Sequence, residues 1–367
     1  MEKNKHIYYF DWLRVVAMFG VIAIHAFGFV HNMGFSVEWG FVNLVMSLVY
    51  TSVPLFFMIS GYLSLSDERT ADVSIMLKKR IPKILLPLIV WTVVSVVLNC
   101  LLSHDLSLSG IVAGIRNSLA SPAWPHLWYL YTLLTITIIA PILYNGIKHL
   151  SKAGHILVIA VIAVITLRMM LQALLPSAVD AWLNIKVIKS LELFSGNLSI
   201  FILGYYLGSL KKKIPNWILA LVFVGTLMII VGGTSISYWR SGTINKDFQD
   251  QSTGFEILLA ASIFLLFKQN ITKPSRLLRI FPIAPLSFGI YLCHDIVLAF
   301  IRRWTGLSSF IGSAIWVVAT FVVCYLMIKT IATIKPLCYI VTGMSYEQAC
   351  NSCNWVYTFR KLKRNKD

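Results

Sequence analysis

Charge is scarce in this chain, and acid is scarcer than base. Only 13% of the 367 residues are charged, with 15 Asp and Glu against 32 Lys and Arg. A soluble globular domain carries about 25% charged residues. Half that figure leaves too little polar surface to face water, whereas lipid solvates apolar side chains directly. A large soluble domain is therefore excluded, and with 57% hydrophobic residues there is length for many spans of about 20 residues each. No internal repeat or low-complexity segment is visible, and no cleavable leader is expected. The first apolar run is too long for a leader's core and has no small-residue cleavage site, so it reads as the first span. Cysteine is sparse too, at six residues. Cys100, Cys293 and Cys324 sit in apolar runs as ordinary buried thiols. Cys350 and Cys353 form a lone C-x-x-C, with Cys338 upstream. One such pair without partners is weak ground for zinc, and no metal is expected.

What the chain has is a succession of apolar runs separated by short basic clusters. The fold class expected is all-α: a polytopic membrane protein of about ten transmembrane helices. The spans fall at 8–30, 41–63, 84–102, 127–147, 155–175, 190–210, 217–233, 255–267, 283–301 and 309–328. The net charge of +17 could suggest nucleic acid, but the clustering of base between apolar runs fits membrane loops, and no nucleic-acid partner is expected. With the N-terminus inside, 22 Lys and Arg fall in inner segments and 7 in outer loops, while Arg14, Arg168 and Lys329 lie within or at the end of spans. Lys and Arg concentrate on the cytoplasmic side of membrane proteins, so both ends are expected there. The domain reading is a ten-helix membrane domain over 1–335 and a cytoplasmic basic tail over 336–367. The longest outer loops, 103–126 and 234–254, are polar but too short for a domain.

Charge in hydrocarbon costs at least ~2.5 kcal/mol near the centre, so intramembrane ionisable groups are candidates for function. The first span carries Asp11, Arg14 and His25. At 100° per residue, Arg14 and His25 differ by about 20° after three turns and share a face about 16 Å apart along the axis. Asp11 lies on the same side. The plainer alternatives are an i,i+3 ion pair between Asp11 and Arg14 and a packing role for His25. Other candidates on the outer side are His126, Glu192, Glu256, His294 and Asp295, a set suited to acid–base work or a proton relay. On the inner side, Lys78, Lys79, Arg80 and Lys83 lead into the third span. There they read either as an anion site reinforced by a helix start or as topology signals alone.

Five stretches together resemble a known pattern. Tyr9-Phe10-Asp11-Trp12-Leu13-Arg14 followed by His25 resembles the R-x10-H signature of the acyltransferase type 3 family of membrane O-acyltransferases. Val53-Pro54-Leu55-Phe56-Phe57-Met58-Ile59-Ser60-Gly61-Tyr62-Leu63 is similar to that family's second-span motif. Lys79-Arg80-Ile81-Pro82-Lys83-Ile84 is similar to its basic R-x-x-R loop, with Lys83 in place of the second Arg. His126-Leu127-Trp128-Tyr129-Leu130 resembles its H-L-W-[FY] motif. Ser287-Phe288-Gly289-Ile290-Tyr291-Leu292-Cys293-His294 resembles its late S-x-G-I-Y-x-x-H. Within the family the chain looks closest to the enterobacterial common antigen O-acetyltransferase and the membrane part of the vancomycin-type serine racemase. Lys83 keeps the charge of an Arg but loses its bidentate geometry.

The resemblance implies transfer of an acyl group, usually acetyl, from cytoplasmic acyl-CoA to a hydroxyl of an envelope polysaccharide or lipid-linked glycan, in a bacterial cytoplasmic (inner) membrane. Acyl-CoA is then a donor substrate, with no cofactor bound permanently, and the membrane lipid is a partner. His25 would act as general base or transient acyl carrier, with Arg14 beside the donor and Asp11 holding Arg14. Lys79, Arg80, Lys83 and Arg14 would bind acyl-CoA. His126, Trp128, Tyr291, His294 and Glu256 would face the acceptor, Trp128 as a stacking surface for sugar. The competing expectation is a proton-coupled transporter or flippase using His25, Glu192, Glu256 and His294. Transporters often carry inverted repeats, and none is visible here. A third is a non-catalytic sensor or binding module.

Overall fold

The computed structural model describes residues 6–31, 34–104, 106–175, 196–306 and 309–364. The beginning of the expected span 190–210, together with Lys186, Lys189 and Glu192, lies outside the described residues. Among those described, all regular structure is helical. We label the helices α1 (Tyr8–His31), α2 (Val37–Val49), α3 (Ser52–Leu65), α4 (Ile81–Leu102), α5 (Leu108–Asn117), α6 (Trp128–Lys148), α7 (Lys152–Leu174), α8 (Asn197–Ser209), α9 (Asn216–Ser241), α10 (Gly254–Asn270), α11 (Arg276–Ile280), α12 (Ile283–Thr305), α13 (Phe310–Ile331), α14 (Lys335–Thr342), α15 (Tyr346–Ser352) and α16 (Trp355–Arg364).

Eight helical runs among the described residues are long and apolar enough to cross a bilayer, with α2 and α3 counted as one run. Two further expected spans coincide with α8 and α10, of 13 and 17 residues. Large apolar side chains stand exposed along these helices, among them Ile156 and Leu157 on α7, Leu221 and Met228 on α9, and Ile311 and Val318 on α13. Water would penalise such faces, and lipid does not. The chain is an all-α polytopic membrane protein.

The chain divides into two compact units. The first comprises Met1–Glu68, Ile142–Ser275 and Leu307–Val317; the second comprises Arg69–Pro141, Arg276–Gly306 and Val318–Asp367.

In the first unit, α3 and α8 pack almost backbone to backbone. A Cβ on Gly61 would stand 1.7 Å from the Phe201 carbonyl oxygen, and one on Gly204 would stand 2.2 Å from that of Met58. In lipid, where apolar burial drives little association, close approach at small residues supplies the packing. Helix α9 continues to Ser241, eight residues past the expected end at 233. Gly232-Gly233 does not stop it. Gly233 instead makes room for the Phe248 ring, which a Cβ would meet at 2.4 Å. The helix ends where Gly242 takes a left-handed φ of 68°.

In the second unit, the expected outer loop 103–126 contains α5, whose first turn is capped by the Ser107 hydroxyl accepting from Gly110 N. The residues after Lys335 fold onto the unit as α14 to α16. Trp91 Nε1 donates to the Val341 carbonyl at 3.1 Å, Asn354 Nδ2 donates to the Ala332 carbonyl at 3.1 Å, and Lys361 Nζ donates to the Arg279 carbonyl at 2.5 Å. The Lys329 ammonium stands 4.1 Å from the Trp355 ring centre.

Candidate active site

In the first unit, α1 is one unbroken helix of 24 residues carrying Asp11, Arg14 and His25. Its orientation is set by Tyr9 and Phe10, both buried. Phe10 packs on Tyr62 (5.5 Å between ring centres) and Phe264 (6.1 Å), and Tyr9 meets Phe264 at 5.8 Å. With these rings fixed, Asp11 and Arg14 are half-buried, Arg14 one turn beyond Phe10. The Asp11 carboxylate accepts from His6 Nε2 at 2.6 Å. Toward the far end, Ser313 Oγ donates to the Ala26 carbonyl at 3.1 Å and Phe27 packs on Phe310 at 5.3 Å. His25, half-buried, therefore sits on a turn held from outside the helix.

Glu256 is placed by a different device. Thr253 caps α10, its Oγ1 accepting from Glu256 N at 3.3 Å. The Glu256 side chain has no exposed surface, and neither carboxylate oxygen meets a hydrogen-bond donor among the described residues. Asp250 and Tyr50 are the charged or ionisable neighbours it feels. Nearby, Gln249 Nε2 donates to Ser47 Oγ at 2.6 Å and to Asn43 Oδ1 at 3.0 Å, tying the loop before α10 to α2.

The second unit brings four expected residues together. His126 Nδ1 faces Asp295 Oδ2 at 3.3 Å, and Nε2 faces the Leu292 carbonyl at 3.1 Å. A carbonyl only accepts, so Nε2 carries a hydrogen. Nδ1 is left facing the Asp295 carboxylate. His294 Nδ1 donates to the Tyr291 carbonyl at 2.5 Å, and the Tyr291 hydroxyl donates to the His126 carbonyl. The two imidazoles stand 4.9 Å apart, edge to face. His126, Tyr291 and His294 are almost fully enclosed, whereas the Asp295 side chain keeps 15% of its surface open. Asp295 is thus the member of this group that reaches the outside, a role its place beside His294 in the sequence does not reveal. Trp128 is half-buried, with its ring edge-on to Tyr129 at 6.4 Å.

The basic cluster departs from expectation in one respect. Helix starts there no longer apply, because the helical run begins at Val73, where the Asp72 carboxylate caps Ser74 N and Ile75 N at 2.8 and 3.2 Å. Lys78, Lys79 and Arg80 fall on a π-helical turn, Met76–Arg80, that leads without a break into α4. The positive end of the helix dipole is therefore more than a turn away, already answered by Asp72. The cluster keeps its own charge, with Lys79 and Lys83 exposed and Arg80 half-buried. Such widened turns recur at functional sites. Gly343 packs its backbone on the Lys83 carbonyl, where a Cβ would stand 2.4 Å away.

Three buried basic residues did not enter the expected site: His31 at the end of α1, Arg168 within α7 and Lys329 near the end of α13, at 4%, 7% and 5% exposure. The signal for Arg168 was present, as a charge inside an apolar run. For the C-x-x-C, Cys353 Sγ lies 3.6 Å from Met344 Sδ, Cys338 Sγ donates to the Met344 carbonyl at 3.2 Å, and burial pushes the Cys353 thiol up to about 11. Among the described residues no three His, Cys, Asp or Glu stand together as a metal site.

Comparison with curated proteins and with solved structures gives no match. Comparison with families does: residues 7–329 match the family described as an acyltransferase domain. That stretch contains α1, the basic turn and the His126–Asp295 group, so the chain belongs to the acyltransferase type 3 family and is a membrane acyltransferase.

Proposed function

We propose that this acyltransferase moves an acyl group, acetyl in the first instance, from cytoplasmic acyl-CoA to a hydroxyl of a cell-envelope glycan or glycolipid. The observation that carries the reading is α1: Arg14 and His25 lie on one face of an uninterrupted helix, about 16 Å apart, so one element reaches from donor depth to acceptor depth. His25 is the general base that takes the acceptor hydroxyl proton as the oxygen attacks the thioester carbonyl. The departing CoA thiolate is then protonated, so no proton is lost overall. Arg14, at the donor end of this face, binds donor phosphate. Lys79, Arg80 and Lys83 offer the CoA phosphates a cluster of like charge. In the second unit, the His126–Asp295 pair with Tyr291 and His294 forms the acceptor-side group, and Trp128, two residues after His126, offers a stacking surface for sugar. The loop charges support a cytoplasmic-membrane placement with both ends inside.

Purified protein in lipid vesicles, given labelled acetyl-CoA and an envelope glycan fraction, should transfer label to the glycan. A general base contributes about 10²–10⁴-fold, so His25→Ala should lose at least that much while its melting curve stays unchanged. Normal transfer by His25→Ala would sink the mechanism.

A further inference from the structure

One stripe of α7 links two cavities of the first unit. His155, Ile159, Ile162, Thr166 and Met170 recur at steps of three and four and so share a helix face. The last four wall a groove of about 640 Å3 between α7, α8 and α10. Its lining is apolar from Met170 and Ile257 to Leu207, and Tyr206, Ser209 and Lys211 supply polar groups at one end. From Ile159 to Met170 the groove follows α7 for about 16 Å, close to one leaflet of a hydrocarbon core about 30 Å thick. A second cavity of about 340 Å3 begins at that polar end. It is lined by Ser66, Glu68, Tyr144, Lys148 and His155, and Ser209 belongs to both cavities. Tyr206 joins them, its hydroxyl hydrogen-bonded to His155 Nδ1 at 3.0 Å.

We propose that the two cavities together hold one phospholipid of the surrounding membrane. An acyl chain fills the groove, and the phosphodiester sits among Lys148, His155 and Lys211. Charge complementarity selects this occupant over a plain hydrocarbon. Lys148 Nζ is held by the Tyr144 hydroxyl at 2.7 Å and by Glu68 at 3.3 Å. The Glu68 side chain is 87% exposed, so that pair is a weak surface one and Lys148 is able to turn to a phosphate. The same Glu68 carboxylate disfavours a second negative charge at the rim, which suits a phosphodiester and not a phosphomonoester. None of these residues takes part in the acyl transfer proposed above, so the lipid site stands or falls separately from it.

The test is native mass spectrometry of the full chain after detergent exchange, with dioleoyl-phosphatidylglycerol as the probe. One lipid per chain is expected. It should be retained at least tenfold better than dioleoylglycerol, which has the tails without phosphate, or glycerol 3-phosphate, which has phosphate without tails. Ala163→Trp fills the groove, and Leu167→Trp at its exposed lip does so where the first variant fails to fold. Each should cut retention at least tenfold, as should Lys148→Ala combined with Lys211→Ala. Leu221→Trp, on a lipid-facing position of α9, should not. Equal retention in the groove and lysine variants overturns the proposal. So does equal binding of either partial probe, or displacement of the lipid by equimolar palmitoyl-CoA, which would assign the groove to an acyl donor.

Discussion

His31 ends α1 with its imidazole stacked on Trp39, 5.8 Å between centres and 12° from parallel, while Trp39 Nε1 donates to the His31 carbonyl at 3.1 Å. Burial lowers this ring to about 4, with Asn43 acting weakly the other way. The unfolded ring titrates near 6.5. Between those values the unfolded chain binds a proton that the folded chain refuses, so stability falls as pH drops through that window. The slope approaches about 1.4 kcal/mol per pH unit, roughly 3 kcal/mol in all. Melting temperature should therefore fall between pH 7 and pH 5, and His31→Phe, which keeps the stack, should flatten that dependence. At the same scale, the Asp295 side chain keeps 15% of its surface open beside the enclosed His126. Asp295→Asn removes a charged partner from His126, an interaction of about 1.5–3 kcal/mol, so acyl transfer should drop roughly 10- to 100-fold with CoA binding intact. Equilibrium binding of labelled acetyl-CoA alongside the transfer assay separates the two effects.

At the scale of elements, the helices of the first unit are fixed less by hydrophobicity than by what their glycines permit. The apolar stretches that form α3 and α8 would suit many partners. The carbonyls of Phe201 and Met58 come close only because Gly61 and Gly204 lack a Cβ. Gly61→Ala must push backbone against backbone and should cost about 1–3 kcal/mol, seen as a lowered melting temperature in detergent. Gly225 on α9 has open space where its Cβ would be. Gly225→Ala should be neutral or stabilising by up to about 1 kcal/mol, because only the helix propensity changes. The contrast tests packing and not glycine content. The positions of α1, α4, α6, α7 and α12 were legible in the sequence, because lipid demands about 20 apolar residues for every crossing. The end of α9 was not, since Gly232-Gly233 reads as a stop until the Phe248 ring is known to lie against it.

For the whole molecule, the charge asymmetry between loops predicts an orientation with both ends inside. In a chain with its six cysteines replaced, a single cysteine at Asn245 should react with a membrane-impermeant maleimide added to intact cells. One at Lys212 should react only after the membrane is opened. The reverse pattern would invert the orientation and with it the assignment of donor and acceptor ends. The lipid solvent, the approximate spans and the shared face of Arg14 and His25 were readable from the sequence, because they follow from composition and from a fixed 100° turn per residue. That His126 is partnered by Asp295, that Glu256 is sealed off, and that the basic turn lies inside a helix already capped by Asp72 came from the folded chain alone. Each of these depends on which atoms meet across elements distant in the chain, and local periodicity carries no record of that.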